Sequence, residues 1–472
     1  MTAYYHQISL LAKAFTAFFL LLLANGVFNC ASVKEQLSKA YTWCGNVKHK
    51  LYLFAIDLGG PAFKSLLNSD DPRLSAKYLL RYVKSLMYYA RQHGDVEYEL
   101  HFHLDGPPEA QKEACRQYSN KSSIVIVRGR RYYVRSKVFD ERNFIFHNAI
   151  KKLNEQLQDP NSPLKKENPL LKKIVVYQCP FQADDGVAWF ADKFHNPRAG
   201  IFVIPVGVDF DLIVKCPQCE VIINHLQYST ISTACENIRP GECRFIFPQY
   251  LRDVFKEKYG SMSTEGFLLF NVAGRTDDFT GFGFGAEVLA QLLAKTEEQL
   301  GAPLEKNRLQ FINKFLYNCI EAKKISVLAS ERIFRIRQEF FTGLFYAIHY
   351  IYYDEETKMV RCEPHSMYKK LAEEIIAARN NKDGTDPELW DALRGFCLHP
   401  NDRTRINFQF NVPRSSSSFF SNLSTIFSSS SKRSRSEDEL DPDAAESSSS
   451  SSSPSRSLSR SEDERRALLL TI

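Results

Sequence analysis

Aspartates close the extended apolar segments of this chain, and that placement is the first chemical signal in the sequence. Asp57 ends the run Leu51 to Asp57, Asp105 follows Val96 to Leu104, and Asp184 and Asp185 follow Lys173 to Gln178. Asp209 and Asp211 follow Gly200 to Val206, and Asp277 and Asp278 follow Gly266 to Ala273. In an open parallel sheet, ligands bind beyond the carboxyl ends of the strands. If these runs are such strands, the acids converge on one crevice. Oxygen-rich clusters of that kind hold Mg²⁺ or Mn²⁺, which bind phosphate oxygens and activate water. Asp57, Asp105 and Asp209 are the expected catalytic set. Aspartate is also a preferred turn and cap residue wherever a strand ends, so both readings stay open.

A second candidate runs from Asn271 to Gly285 (NVAGRTDDFTGFGFG), with Ala286 to Leu289 opening a helix. A strand, a loop carrying Gly281, Gly283 and Gly285, and a helix N-terminus together make an anion-binding arrangement. Glycine lets backbone N–H groups approach a phosphate, and the helix end adds partial positive charge. Asn271, Asp277 and Asp278 would complete this ligand loop. The segment lacks the Gly-Lys-Ser/Thr of a P-loop and is not a strict dinucleotide fingerprint. Its order is similar to that of ADP-ribose-binding macro domains, but the chain then turns helical where that family continues with strands. The other reading is a loop that closes over the core.

His101 and His103 are two apart on an extended segment, so both imidazoles share one face beside Asp105. His-x-His followed by Leu104-Asp105-Gly106 resembles the first-strand motif of metal-dependent amidohydrolases of the adenosine deaminase type. That resemblance implies a zinc role for the pair. The further motifs of that family, His-Ala-Gly-Glu and Gly-His-Gly, do not occur, and the family is set aside. Cys216-Pro217-Gln218-Cys219 is a CxxC, followed by Cys235 and Cys243 with His225 between. Structural Zn²⁺, disulfides and unpaired thiols are the three readings, because zinc needs four soft ligands and an exported chain would oxidise its pairs. Arg128, Arg130, Arg131, Arg135 and Lys137, interleaved with Tyr132 and Tyr133, form the most basic patch. It reads as a charged edge hairpin more than as a phosphate or RNA grip.

The elements that must position these residues alternate. Leu51 to Asp57 reads as a strand closed by a turn at Gly59-Gly60-Pro61, Leu74 to Gln92 as a helix, and Val96 to Leu104 as a strand. A hairpin is expected around Gly129, a helix over Asp140 to Gln158, and strands over Lys173 to Gln178, Gly200 to Val206, Glu220 to Asn224 and Gly266 to Ala273. This β/α alternation implies an α/β domain with a mostly parallel sheet over residues 32–290. Glu287 to Gln299, Asn307 to Ala322 and Ser326 to Tyr346 are helical by period, His349 to Cys362 is a hairpin, and two shorter helices follow. They form a helical lobe over residues 291–412.

The two ends carry addresses rather than chemistry. Residues 8–24 hold a compact apolar run interrupted by Lys13. It fits a signal peptide over residues 1–31, a membrane anchor, or a buried helix. In the tail, residues 413–472, 23 of the 47 residues from Ser415 to Ser461 are serine, and such a segment cannot bury enough apolar surface to order itself. Glu462-Asp463-Glu464 precedes Leu468-Leu469-Leu470. This arrangement resembles the C-terminal translocation signal of type IV-secreted effectors of intracellular bacteria. The resemblance implies delivery to a host cell and a host protein partner, an alternative to the enzyme reading.

Over 472 residues, 61 Lys and Arg against 55 Asp and Glu leave a net charge of +6. That excess is too mild to argue for nucleic acid. Of the chemical readings, the favoured one is a hydrolase or binding protein for a phosphate-bearing ligand at the strand carboxyl ends, exported or membrane-tethered.

Overall fold

The computed structural model describes residues 27–29, 51–69, 71–93, 96–106, 124–127, 130–133, 137–207, 211–224, 244–246, 248–249, 252–253, 263–276, 279–325, 330–354, 356–357 and 359–394. The apolar run over residues 8–24, the serine-rich tail and the terminal acidic block lie outside them. No helix among the described residues is long and apolar enough to cross a membrane.

The strands of the first part are β1 (Val27–Asn29), β2 (Leu51–Asp57), β3 (Glu97–Leu104), β4 (Ile124–Val127), β5 (Arg130–Tyr133), β6 (Leu171–Gln178), β7 (Ile201–Gly207), β8 (Ile222–Asn224) and β9 (Arg244–Ile246). β4 and β5 pair with each other as the expected hairpin. The other seven form one sheet in the order β1-β9-β8-β7-β2-β3-β6. From β8 to β6 all neighbours are parallel, and β9 and β1 add an antiparallel edge. Parallel strands covered on both faces read as continuous apolar runs, which is why LYLFAID is buried from Tyr52 to Ile56.

Helices cover both faces: α1 (Gly59–Asn68), α2 (Pro72–His93), α3 (Lys137–Gln158), the short α4 (Pro163–Glu167), α5 (Ala183–Phe194) and the short α6 (Asp211–Lys215). Alternate strand residues point to opposite faces. On β3, Phe102 meets Phe146 of α3, with ring centroids 6.3 Å apart. His101 and His103 meet Phe190 of α5 at 4.4 and 5.8 Å. The chain leaves β2 for β3 and then β6 on one side, then returns past β2 to β7 and β8 on the other. This reversal puts the topological switch point, and hence the crevice, between the carboxyl ends of β2 and β7.

Two local expectations are corrected. Gly59-Gly60-Pro61 does not close a turn but opens α1. Gly266 to Ala273 is not a strand but the interior of α7 (Thr264–Gly274). Ser263 caps that helix by accepting the Gly266 N–H at 3.0 Å. The helix is buried from Glu265 to Phe270 and again at Val272 and Ala273, so its sequence shows no period by which a helix could be told from a buried strand. The rest matches the expected helical lobe: α8 (Ala286–Leu300), α9 (Arg308–Ala322), α10 (Ser330–Ile348), the hairpin β10 (His349–Asp354) and β11 (Met359–Pro364), α11 (Lys369–Asn380) and α12 (Pro387–Arg394). Arg308 of α9 ties α7 to α11 through Glu265 at 2.8 Å and Glu374 at 3.0 Å. Tyr368 donates to the Val214 carbonyl at 3.1 Å, and the Trp189 and Tyr352 rings stack at 5.1 Å, so these helices and the hairpin pack on α5 and α6.

Two buried histidines give the fold a defined acid response. Burial pushes His103 down to about 3, helped by the nearby His101, and pushes His349 down to about 4 against the pull of the Phe345 carbonyl. The unfolded chain takes up a proton on each near pH 6.5, and the folded chain does so only well below it. Their contribution to stability is therefore complete above about pH 6.5 and falls as the pH drops, by about 1.4 kcal/mol per pH unit for each histidine. Urea midpoints measured from pH 7 to pH 5 should decline accordingly, and a flat profile would contradict this burial.

Candidate functional site

At the carboxyl ends of β2 and β3, beside the switch point, two aspartates each give one carboxylate oxygen to a helix N-terminus. Asp57, the last residue of β2, accepts the Gly59 N–H of α1 through Oδ1 at 2.7 Å. Asp105, just past β3, accepts the Ala183 N–H of α5 through Oδ1 at 2.8 Å. First-turn N–H groups lack intrahelical partners and favour negative charge. The capping reading of these acids is thus correct as far as one oxygen goes. The second Asp105 oxygen does something else. A Cβ built on Gly59 would lie 2.5 Å from Asp105 Oδ2 and 3.0 Å from Asp57 Oδ1. Both carboxylates therefore close on the small space that glycine leaves, and both are half-buried rather than sealed.

The strand end behind Asp105 is held by a polar network. The Gln178 side-chain amide donates to the Asp105 carbonyl at 2.8 Å, and the Asn143 amide donates to Gln178 at 3.1 Å. Beside Asn143, Arg142 is fully buried and donates to the carbonyl of Ala62 at 2.5 Å, to Ser65 and to Asn143. Burial pulls its guanidinium down to about 9, opposed by the charges of Asp105 and Asp140, so it stays protonated at neutral pH. Burial pushes the Cys179 thiol up, and the charges of Asp105, Asp185, Asp57 and Asp184 add to it. The four carboxylates thus share one negative field.

Asp184 and Asp185 sit in the first turn of α5, a helix that the sequence reading left out. Gly186 lets that helix approach, since a Cβ there would come within 2.4 Å of Cys179 Sγ and 2.6 Å of His103 Nδ1. Lys215, at the end of α6, reaches Asp184 at 2.9 Å and Asp185 at 2.5 Å. Sequence reasoning missed this lysine, because nothing in the spacing of α6 announces its partner thirty residues earlier. Asp209, the third expected acid, lies outside the described residues, while Asp211 is the first residue of α6.

The other expected sites resolve differently. His101 and His103 do share a face, but as core residues. His101 contacts Glu99 at 2.8 Å and Tyr177 at 3.1 Å, and His103, fully buried, stacks on Tyr177 at 5.0 Å. Among the described residues no group of three or more His, Cys, Asp or Glu side chains is arranged to hold a metal ion. Cys216 and Cys219 are buried free thiols, while Cys235, Cys243 and His225 lie outside the described residues.

The glycine loop follows a helix, not a strand, and it faces inward. Asn271 donates to the Phe267 carbonyl at 2.7 Å within α7. Phe279 and Phe282 are buried, with Phe279 meeting Phe340 at 5.6 Å. Phe282 N–H is taken by the Ala273 carbonyl at 2.9 Å, and Gly285 is the N-cap of α8. Asp277 and Asp278 lie outside the described residues. The loop closes over the core. Gly281 (φ 75°) and Gly283 (φ 70°) occupy the left-handed region, and only at Gly281 would a Cβ strike backbone, 1.9 Å from the Gly274 carbonyl oxygen. Gly281→Ala should therefore cost about 2 kcal/mol or more, and Gly283→Ala only about 1 kcal/mol. Thermal unfolding that fails to separate the two variants would contradict this packing.

No family model and no curated protein matches the chain. Among solved structures it is similar to the catalytic core of Rad2 in complex with DNA substrate, in three complexes. The first has a TM-score of 0.34 at 11% identity over 62% of this chain and 77% of that one. The second has a TM-score of 0.33 at 11% identity over 61% and 78%, and the third 0.32 at 10% identity over 63% and 72%. At TM-scores this low the likeness assigns no activity to this chain.

Proposed function

We propose that this chain is a divalent-cation-dependent hydrolase of a phosphate-bearing ligand, acting at the carboxyl ends of β2 and β3. The observation that supports this most is that Asp57 and Asp105 stand at the carboxyl ends of neighbouring parallel strands, each at a helix N-terminus and both beside Gly59. An all-oxygen donor set suits Mg²⁺ or Mn²⁺. Asp57 and Asp105 would hold the ion, with Asp209 the third expected ligand. When bound, the ion supplies neutralising charge to phosphate oxygens and lowers the pKa of a water ligand. The chain's own residues do the positioning. The Ala183 N–H fixes one oxygen of Asp105, Gln178 holds the strand end, and Arg142 places a buried positive charge near it.

The test is hydrolysis by the full chain of a phosphodiester ester, a nucleoside triphosphate and a single-stranded DNA oligonucleotide, with Mg²⁺, Mn²⁺ or neither. Metal-dependent turnover of at least one substrate is expected. Asp105→Asn should lower it by about 10²-fold or more, as loss of a directly charge-stabilising group does, with the far-UV circular dichroism unchanged. No turnover with any metal, or equal rates in both proteins, would favour instead a non-enzymatic protein that engages host partners.

A further inference from the structure

The turn that follows α6 brings two thiols together. Cys216 comes directly after Lys215, and its N–H is taken by the Leu212 carbonyl at 2.8 Å, so it closes α6. The Cys219 N–H then donates to the Cys216 carbonyl at 3.1 Å, which makes Cys216-Pro217-Gln218-Cys219 a β-turn. The ends of such a turn lie within about 7 Å of each other, and a disulfide needs Cα atoms roughly 4.4–6.8 Å apart. Both thiols are free and buried, and a hydrogen bond with Cys216 adds to the burial that pushes the Cys219 thiol up. The flanks of the turn are fixed. Lys215 is held by Asp184 and Asp185, the Val214 carbonyl accepts from Tyr368, and β8 runs beside β7. The middle of the turn is not. Gln218 is half-buried, yet its side-chain nitrogen and oxygen are both buried without a hydrogen-bond partner. An unsatisfied buried amide costs free energy that contact with water recovers, so this turn can open locally while the rest of the fold stays closed.

We infer that Cys216 and Cys219 are a redox-active dithiol, which an organic disulfide oxidises to an intramolecular disulfide that staples the end of α6 to the chain entering β8. In the first step one thiolate attacks the organic disulfide. Its S–S bond breaks, one thiol leaves, and a mixed disulfide remains on the protein. In the second step the other cysteine attacks the protein sulfur and expels the second thiol. Two electrons pass to the organic disulfide, and the two thiol protons end on the two released thiols. The β-turn favours the second step, because it holds the attacking sulfur next to the bond it must break. A solitary buried thiol has no such second step. The product bridges a turn that already exists, so Lys215 keeps its place between Asp184 and Asp185.

The test is equilibration of the reduced full chain with mixtures of reduced and oxidised glutathione, followed by acid quenching, labelling with iodoacetamide in denaturant and mass analysis of the peptides. Cys216 and Cys219 should lose their label together, leaving a peptide lighter by two hydrogens, with the far-UV circular dichroism unchanged. The double variant Cys235→Ser/Cys243→Ser removes the next two cysteines of the chain and should oxidise as wild type does. At least one of Cys216→Ser and Cys219→Ser should stop at the mixed disulfide with glutathione. Four results would overturn the inference: both thiols still labelled in the most oxidising mixture, glutathione retained by either sulfur in wild type, a disulfide that disappears in Cys235→Ser/Cys243→Ser, or no mixed disulfide in either single variant. Loss of helical signal on oxidation would also overturn it, because the disulfide would then not fit the turn.

Discussion

Lys215→Met should lower the stability of the fold by about 3–5 kcal/mol, because removing one partner of a buried ion pair leaves the other charge uncompensated. The side chains involved are 7%, 13% and 2% exposed for Lys215, Asp184 and Asp185, so water cannot replace the ammonium. Burial, with the neighbouring Asp184 charge, pushes the Asp185 carboxyl up to about 6, against the Lys215 charge and hydrogen bond and the Ile351 backbone. Without the lysine, Asp185 must take up a proton or α6 must move. Adding Asp185→Asn should therefore recover part of the loss, since a neutral amide no longer needs the cation. Chemical denaturation of the two variants checks this. A loss below about 1 kcal/mol, the value typical of surface pairs, would mean that Lys215 is not sealed between the two carboxylates.

Gly59→Ala should separate activity from stability in the opposite sense. Its Cβ would arrive 2.5 Å from Asp105 Oδ2 and 3.0 Å from Asp57 Oδ1, so at least one carboxylate must shift. A displacement of that size at a reacting centre costs on the order of 10²-fold in rate. Gly59 is the first residue of α1 and is not among the positive-φ residues. Alanine is thus compatible with the backbone there and should leave the melting temperature unchanged or slightly higher. Loss of hydrolysis together with loss of fold would mean that the glycine serves packing alone. Unchanged hydrolysis would mean that nothing binds between the aspartates.

Much of this architecture was legible because parallel strands and amphipathic helices leave different periods in the chain. Leu51–Asp57 coincides with the expected strand residue for residue, and the helices over 286–300 and 308–322 fall within one residue of their expected limits. What failed, failed for identifiable reasons. Gly266 to Ala273 is apolar on every side, so a buried helix and a buried strand look alike there. Helix α5 begins at Ala183 with two aspartates and carries Gly186; in sequence those residues signal a loop, and only the contact with Cys179 and His103 explains the glycine.

Asp57 and Asp105 were legible as site residues because strand-end acids have a place in a parallel sheet. Their closeness was not. It depends on β2 and β3 being neighbours and in register, Asp57 opposite His103, which spacing alone does not state. Lys215 had no signal in sequence, since its role exists only once α6 is packed against α5.

The most direct measurement is an electron paramagnetic resonance titration of Mn²⁺ with the full wild-type chain and with Asp57→Asn/Asp105→Asn. If the two carboxylates share a cation, wild type removes free Mn²⁺ in a saturable way and the double variant, still folded, does not. Equal binding by both proteins, or binding by neither, would contradict that claim.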